Sequence, residues 1–384
     1  MIKKLLLLLL LSCSLFSNEL EYKGNVGFES KYLLHDIANK RDSALALVLE
    51  ARVKKSFGDS EVVAKLKALF DKDDKNRRYF DFTDLYYLYN FENSDILIGR
   101  NSRFWGALEF YNITDVFNTK DFLDDVFDYK SKLGSWNVAY TKYFDNSDLS
   151  LIVKVHEQRQ KMQDQKSVDY FFPLDYDDEL ITSKGKNRPT IFLKYSGSGD
   201  EVQIDYSLIY QNGYDQNRYM IIKNGKLRQN AYIVNKFLGF FILVVDDTIY
   251  KSELSFAKSD DKTISKYSHI GFGIEHTLYS FWDTKDLGLL MEYYRYSGDG
   301  SKESFFANDL SIGFRLSMND LDSSEVLGGV DIDIDNQEKI TFIKYDTRVY
   351  NSYKLSLSYQ YLDPKQNSLF PRLNSLKLEF GYYF

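Results

Sequence analysis

The stretch Ser375–Phe384, SLKLEFGYYF, reads as one membrane-crossing β-strand. Leu376, Leu378, Phe380, Tyr382 and Phe384 share one face, while Ser375, Lys377, Glu379, Gly381 and Tyr383 share the other. Side chains alternate across a strand with a period of two, so the segment has an apolar face and a wetter one, as a strand between lipid and water requires. The pattern recurs upstream. Val202, Ile204, Tyr206, Leu208 and Tyr210 oppose Gln203, Asp205, Ser207 and Gln211, with Ile209 the exception. Leu149, Leu151, Val153 and Val155 repeat it, as do Leu355, Leu357, Tyr359 and Tyr361. Ile270, Phe272, Ile274 and Leu278 oppose Gly271, Gly273 and Glu275, and Leu310, Ile312, Phe314, Leu316 and Met318 oppose Ser311, Gly313, Arg315 and Ser317. Polar turns such as Asp145-Asn146-Ser147 and Asp363-Pro364 punctuate these segments. The expected fold is all-β, a single transmembrane antiparallel up-and-down β-barrel over residues 18–384.

Dividing the chain by about 22 residues per strand plus connection, with strands of roughly 10, gives about 16 strands within a range of about 14 to 18. A barrel of that size is too wide for its own side chains to fill and encloses water unless a loop folds inward. Two polar stretches, Gln158 to Pro189 and Gln211 to Asn230, are expected as long, solvated outer loops, with inward folding of one of them as the alternative.

At the other end, Lys3 and Lys4 precede an unbroken leucine run, Leu5 to Leu11, followed by small and polar residues to Ser17. A run of seven falls well short of the roughly 20 apolar residues a spanning helix needs. Residues 1–17 therefore read as a cleaved secretory signal peptide. Leu10-Leu11-Ser12-Cys13 is similar to a short lipobox, which leaves open whether Cys13 is removed or lipidated. Cleavage after Ser17 removes the chain's one cysteine, and with it any disulfide or thiolate metal site. It also removes Lys3 and Lys4 and no acid, taking the formal net charge from −7 to about −9. So acidic a chain is no nucleic-acid binder. Aromatics make up 16% of the residues, and 31 of them are tyrosines, which suits the interfacial girdles of a barrel.

The C-terminal strand closing on Phe384 resembles the signal by which the barrel insertion machinery recognises outer-membrane proteins, and Leu376, Leu378, Phe380, Tyr382 and Phe384 are its residues. A second resemblance lies in Ile98-Gly99-Arg100-Asn101-Ser102-Arg103-Phe104-Trp105-Gly106, then Asp115-Val116-Phe117-Asn118 and Lys120-Asp121. It is similar to a segment of several Gram-negative outer-membrane protein families in which a Gly-Arg strand end leads to Trp-Gly and then to Asp-Val-x-Asn-Pro-x-Asp. Thr119 stands here in place of that proline. Leu290-Met291-Glu292-Tyr293, Asn308-Asp309-Leu310, Arg315-Leu316 and Asn319-Asp320 resemble later strands of porin-like proteins that are mostly uncharacterised. These resemblances imply a porin-like barrel in the cell outer membrane, meeting lipid and lipopolysaccharide and open to homotrimer assembly.

The Arg100 segment is expected to leave the wall and pack inward, with Arg100 and Arg103 able to pair with Asp115 and Asp121 through the guanidinium fork. Those four, together with Glu292 and Arg315 on polar strand faces, are the expected pore-lining or inward-loop charges. They either select solutes at a constriction or pin a loop. Catalysis finds little support. None of His35, His156, His269 and His276 sits in a His-x-Ser-Asn-Gly context, and no Gly-x-Ser-x-Gly elbow occurs. Asp331, Asp333 and Asp335 have period two and read equally as calcium ligands or as a water-facing strand, without the glycine-bearing loop of a strong calcium motif. Neither a catalytic site nor a cofactor or metal site is therefore assigned. The function expected is passive diffusion of small solutes or ions. The rival is a non-conducting barrel that serves an envelope lipid-handling or efflux system.

Overall fold

The computed structural model describes residues 20–123, 131–170, 172–199, 202–300, 306–364 and 371–384; the expected signal peptide and Cys13 lie outside them. In chain order the strands are β1 (Leu20–Leu33), β2 (Ser43–Phe57), β3 (Ser60–Asp71), β4 (Arg78–Phe91), β5 (Ser94–Asn101), β6 (Asp121–Phe122), β7 (Ser135–Phe144) and β8 (Ser147–Lys154). There follow β9 (Lys161–Met162), β10 (Tyr176–Thr182), β11 (Thr190–Ser198), β12 (Ile204–Tyr214), β13 (Tyr219–Lys223), β14 (Lys226–Ala231), β15 (Ile233–Val245) and β16 (Thr248–Ser259). The chain ends with β17 (Lys266–Trp282), β18 (Lys285–Gly298), β19 (Asn308–Ser317), β20 (Glu325–Asp333), β21 (Lys339–Val349), β22 (Tyr353–Asp363) and β23 (Leu373–Tyr383).

All but β6, β9, β10, β13 and β14 belong to one 18-stranded antiparallel sheet that closes on itself where β23 pairs with β1. The expected count of about 16 is thus corrected to 18. The difference lies in the hairpins. Only Gly58 and Asp59 separate β2 from β3, only Asp246 and Asp247 separate β15 from β16, and only Asp283 and Thr284 separate β17 from β18. Connections this tight use fewer residues than the spacing assumed from sequence. They also alternate with long ones, so the barrel has a short-turn end and a long-loop end. Both chain ends of the described structure lie at the short-turn end, since Leu20 pairs with Lys55 near the β2–β3 turn and Tyr383 pairs with Asn25.

The two faces of the wall follow the sequence alternation. Leu376 and Phe384 point outward, 46% and 54% exposed, whereas Lys377 turns inward to Glu29 at 3.7 Å. Exposed aromatics form two belts: Tyr22, Phe57, Phe91, Phe144 and Trp282 near the short turns, and Tyr32, Phe70, Phe80 and Trp136 near the long loops. Rings with apolar bodies are favoured at the edges of a hydrocarbon layer, where the belts sit.

Closure depends on one close approach. Gly24 and Phe384 exchange both backbone hydrogen bonds, at 2.9 and 3.0 Å. A Cβ on Gly24 would lie 2.5 Å from Phe384 Cζ, so the terminal ring packs over the glycine. Next to it Phe28 meets Phe380 at 5.8 Å, and Phe380 stacks on Tyr353. Gly24→Val should therefore displace the terminal ring and cost about 1–3 kcal/mol of barrel stability. The expected outcome is a lower melting temperature of the heat-modifiable folded band on electrophoresis, while Leu20→Val, at the fringe of the same strand, leaves it unchanged.

Candidate functional site

After β5 the chain leaves the wall and enters the barrel, returning at Ser135. Arg100 fastens the exit to the return, its Nη2 donating to Asp81 Oδ2 at 2.9 Å and its Nε to the Gly134 carbonyl at 3.0 Å. Asn118 ties the two ends again, donating to the carbonyls of Asn101 and Leu133 at 3.1 and 2.9 Å. Between these ties Trp105, Val116 and Phe117 bury themselves against Leu97, Ala139, Ile152, Phe192, Ile209 and Leu238 of the wall. Trp105 meets Phe192 edge-on at 5.3 Å. An apolar plug therefore fills the side of the barrel bounded by β5 to β15.

Two carboxylates hold the middle of this inward loop. Glu253 of β16 accepts the backbone N–H of Ala107 (2.6 Å), Leu108 (2.9 Å) and Thr114 (2.7 Å), the Thr114 hydroxyl (2.9 Å) and Asn112 Nδ2 (3.1 Å). Glu292 of β18 accepts the N–H of Glu109 at 2.8 Å and of Phe110 at 3.0 Å, and the Tyr294 hydroxyl at 2.6 Å. Charge-assisted bonds of this type are roughly twice as strong as neutral ones. Strand β17, which runs between them, offers glycine where the loop lands: a Cβ on Gly271 or Gly273 would meet Leu108 at 2.5 or 2.9 Å. Farther round the wall a Cβ on Gly313 or Gly329 would meet Phe110 at 3.2 or 2.7 Å, and Phe110 packs edge-on against Phe342 at 5.8 Å.

The residues singled out from sequence are distributed differently from the pairing expected. Arg100 pairs with Asp81, and Asp115 pairs with Lys132. Arg103 stacks its guanidinium over Phe117 at 5.4 Å, and its backbone N–H donates to Asn118 Oδ1 at 2.7 Å. Asp121 caps the turn at Leu123 N, 3.1 Å away. Burial pushes the Asp115 carboxyl up, against the pull of Lys132, and pushes the Lys120 ammonium down. Glu292 holds the loop, and Arg315 faces the lumen on β19 with no ion pair among the described residues. Glu253 was missed from sequence. Its signal was an inward acid two strand positions from Lys251, facing a Gly-Phe-Gly strand that invites close approach. His156 bonds Asn187 Oδ1 at 2.7 Å, and Asp333 is taken up by the turn nitrogens of Asp335 and Asn336.

The outer loops are less solvated than their composition implied. Met162, Gln163, Val168, Asp169 and Tyr170 are buried. This strap crosses from the end of β8 to the β1–β3 side, where Asp169 pairs with Lys31 at 2.5 Å and Asp164 with Arg41 at 3.3 Å. Its β9 pairs in parallel with β6 of the inward loop, and β10 joins the β13–β14 hairpin in a small sheet. Asn224 and Gly225, with φ of 54° and 73°, give that hairpin its tight primed turn. Beneath it lie two buried ionic groups, Lys154–Glu157–Arg218 and Lys236–Asp215. Burial lowers the Lys40 ammonium, which donates to carbonyls of the strap, to about 8, with Asp164 and Asp169 opposing the shift.

What the inward loop leaves open is a cavity of about 2020 Å³ along β17 to β23 and β1 to β3. Its lining extends from Thr263 and Asp299 at the long-loop end to Glu325, Lys354 and Tyr383 at the short-turn end. Charges of both signs line it. Lys344 pairs with Asp346 at 3.0 Å and Lys377 with Glu379 at 3.1 Å, while Arg315 and Glu325 face it without ion-pair partners among the described residues.

No family model and no curated protein sequence matches the chain. Solved structures do. Acinetobacter baumannii OccAB4 aligns over 96% of this chain and 98% of its own with TM-score 0.60 at 10% identity. Pseudomonas aeruginosa OccK3 aligns over 95% and 96% with TM-score 0.56 at 11% identity. Escherichia coli Wzi, described as an outer-membrane protein involved in group 1 capsule assembly and a carbohydrate-binding β-barrel, aligns over 98% and 87% with TM-score 0.54 at 11% identity. Identities this low speak to fold alone. By its closed 18-stranded wall and by these likenesses, the chain has the fold of the outer-membrane porins.

Proposed function

We propose that this protein is a porin-like channel for passive diffusion of small solutes or ions across the outer membrane, with no enzymatic activity. The observation that carries the reading is a cavity whose lining reaches from the long-loop end to the short-turn end beside an inward loop fixed to the wall. In a barrel of this type the termini and short turns face the periplasm and the long loops face outward. The outward face, with its two aromatic belts, would meet lipid and lipopolysaccharide, and the Phe384 strand would be read by the insertion machinery. A homotrimer is the assembly tested alongside.

Selection in such a pore is electrostatic and steric: inward charges set the local potential, and the narrowest section sets size. Paired charges largely cancel one another's field beyond a few ångströms. Arg315, with no ion pair among the described residues, therefore weighs more in ion preference than Lys344 or Lys377. Single-channel recordings in planar bilayers should show ohmic steps. Their absence from correctly folded protein would favour the rival, a non-conducting barrel partner of an envelope system.

Arg315→Glu is expected to move the reversal potential under a KCl gradient toward cation preference, with unit conductance changed less than about twofold because only one side chain of a wide lining is exchanged. A second expectation concerns the loop. In Glu253→Gln the new amide NH₂ faces N–H donors that it cannot accept from, a loss of about 3 kcal/mol of loop attachment. Current should then fluctuate between levels, and limited proteolysis should cut near Ala107–Thr114. A steady current with an intact loop in this variant would show that Glu253 does not hold the constriction.

A further inference from the structure

The lining of the cavity changes character along the barrel axis. Toward the long-loop end it is bordered by Phe110 of the inward loop, Leu174 and Met220 of the outer loops, Phe306 before β19, and Ile340 and Phe342 of β21. Each is only partly buried. Toward the short-turn end the wall instead presents Arg315, Glu325, Lys344, Asp346 and Lys354. The change occurs within one strand: β21 turns Ile340, Phe342, Lys344 and Asp346 inward at successive alternate positions.

Packing accounts for only part of the outer half: Phe110 meets Phe342 at 5.8 Å and Phe306 stacks on Tyr111 at 4.9 Å, yet all six side chains keep exposed surface. The loops have buried clusters of their own, Leu180 with Tyr214 and Ala231, and Tyr232 with Val234, Ala257, Ile264, Tyr267 and Tyr296. The six partly exposed side chains belong to separate segments, yet they converge on the same cavity. Apolar surface left facing a water-filled space is unfavourable, and a concave apolar lining with a few polar groups at one end is the usual make-up of a ligand pocket. A hydrated ion gains nothing from such a chamber. A molecule with an apolar body does.

We propose that the outer chamber binds the apolar body of a small amphipathic solute and presents its polar end to the charged inner half of the passage. This rests on the channel reading and names the class of cargo. Both requirements come from the sequence of linings that a solute meets: first a mainly apolar surface, then fixed charges with hydrogen-bonding groups such as Ser356 and Ser358.

The test uses two uncharged polyols, 1,2-hexanediol, which carries a four-carbon alkyl tail, and glycerol, which carries none, added on the long-loop side of single channels carrying KCl. Burial of three or four methylene and methyl groups should let hexanediol interrupt the current at a concentration at least about tenfold below that of glycerol. Ile340→Asn/Phe342→Asn should abolish the difference and leave the open current nearly unchanged. Equal potency of the two polyols on the wild-type protein, or a difference that survives in the variant, would overturn the proposal. Should the wall variant fail to fold, Met220→Asn lies outside the wall and is expected to reduce the difference severalfold; an undiminished difference there counts against the proposal. Should the protein carry no current, the channel reading fails separately. Saturation-transfer NMR in nanodiscs then reads chamber occupancy directly: stronger transfer to hexanediol alkyl protons in wild type than in variant supports the chamber, and equal transfer overturns it.

Discussion

A bilayer core offers no hydrogen-bond partner to a peptide group, and that constraint dictates the rest of this molecule. Every strand in the hydrocarbon layer must have a neighbour on both sides, so the sheet has to close. Closure falls at the junction of β1 and β23, where the register runs from Asn25–Tyr383 to Leu33–Ser375 and the terminal Phe384 adds the last pair of bonds to Gly24. Gly24 and Gly27 let the two edges approach, since a Cβ on Gly27 would sit 2.6 Å from the Phe380 carbonyl. Once the ring is shut at eighteen strands, its interior is too wide for wall side chains to fill. The space has to be occupied by water, by a returning segment of chain, or by both. Here the segment after β5 fills one side and water is left the other.

The filling segment creates a second problem of the same kind. Irregular backbone inside a barrel carries donors that no strand ladder satisfies, and buried orphan N–H groups are costly. Glu253 and Glu292 resolve this. Between them they accept five backbone N–H groups of residues 107 to 114, and neither makes an ion pair among the described residues. The loop's dipoles thus stand in for a counter-ion. Because the glycines of β17, β19 and β20 lie where Leu108 and Phe110 touch the wall, polar attachment and apolar seating are supplied by the same stretch of barrel. A loop fixed at both levels can act as a rigid side of a passage.

How far the sequence disclosed this follows from the range of each interaction. Alternation is local, so the inward and outward faces of β12, β17, β19 and β23 could be read directly, as could the aromatic ending that closes the ring. The number of strands depended on connection lengths, and the two-residue hairpins such as Gly58–Asp59 leave a weak signal between alternating segments. That the Arg100 segment turns inward was visible in its break from alternation. Its partners were not, because Asp81 reaches Arg100 through the pairing of β4 with β5, whereas Asp115 is claimed by Lys132 across the loop's own bend. The strap shows the same limit. Asp164 and Asp169 look like solvated loop acids until Arg41 and Lys31, more than a hundred residues away, come to meet them.

Charge counts in the lumen mislead for a related reason. Carboxylates and amines line the interior in nearly equal numbers, and most are spent on structure: Lys31 on the strap, Lys154, Arg218 and Lys236 on the buried groups under the outer loops, Glu253 and Glu292 on the inward loop. A group that is paired or saturated with hydrogen bonds contributes little field to a passing solute, since its partner lies closer than the solute can. What remains to act on cargo is a small set, with Arg315 and Glu325 near the short-turn end. On the long-loop side rings and aliphatic side chains predominate over charges such as Asp299 and Asp331. On the proposed channel reading, discrimination would fall to what is left unspent after the loop and strap are anchored, and those leftovers are arranged in series along the axis.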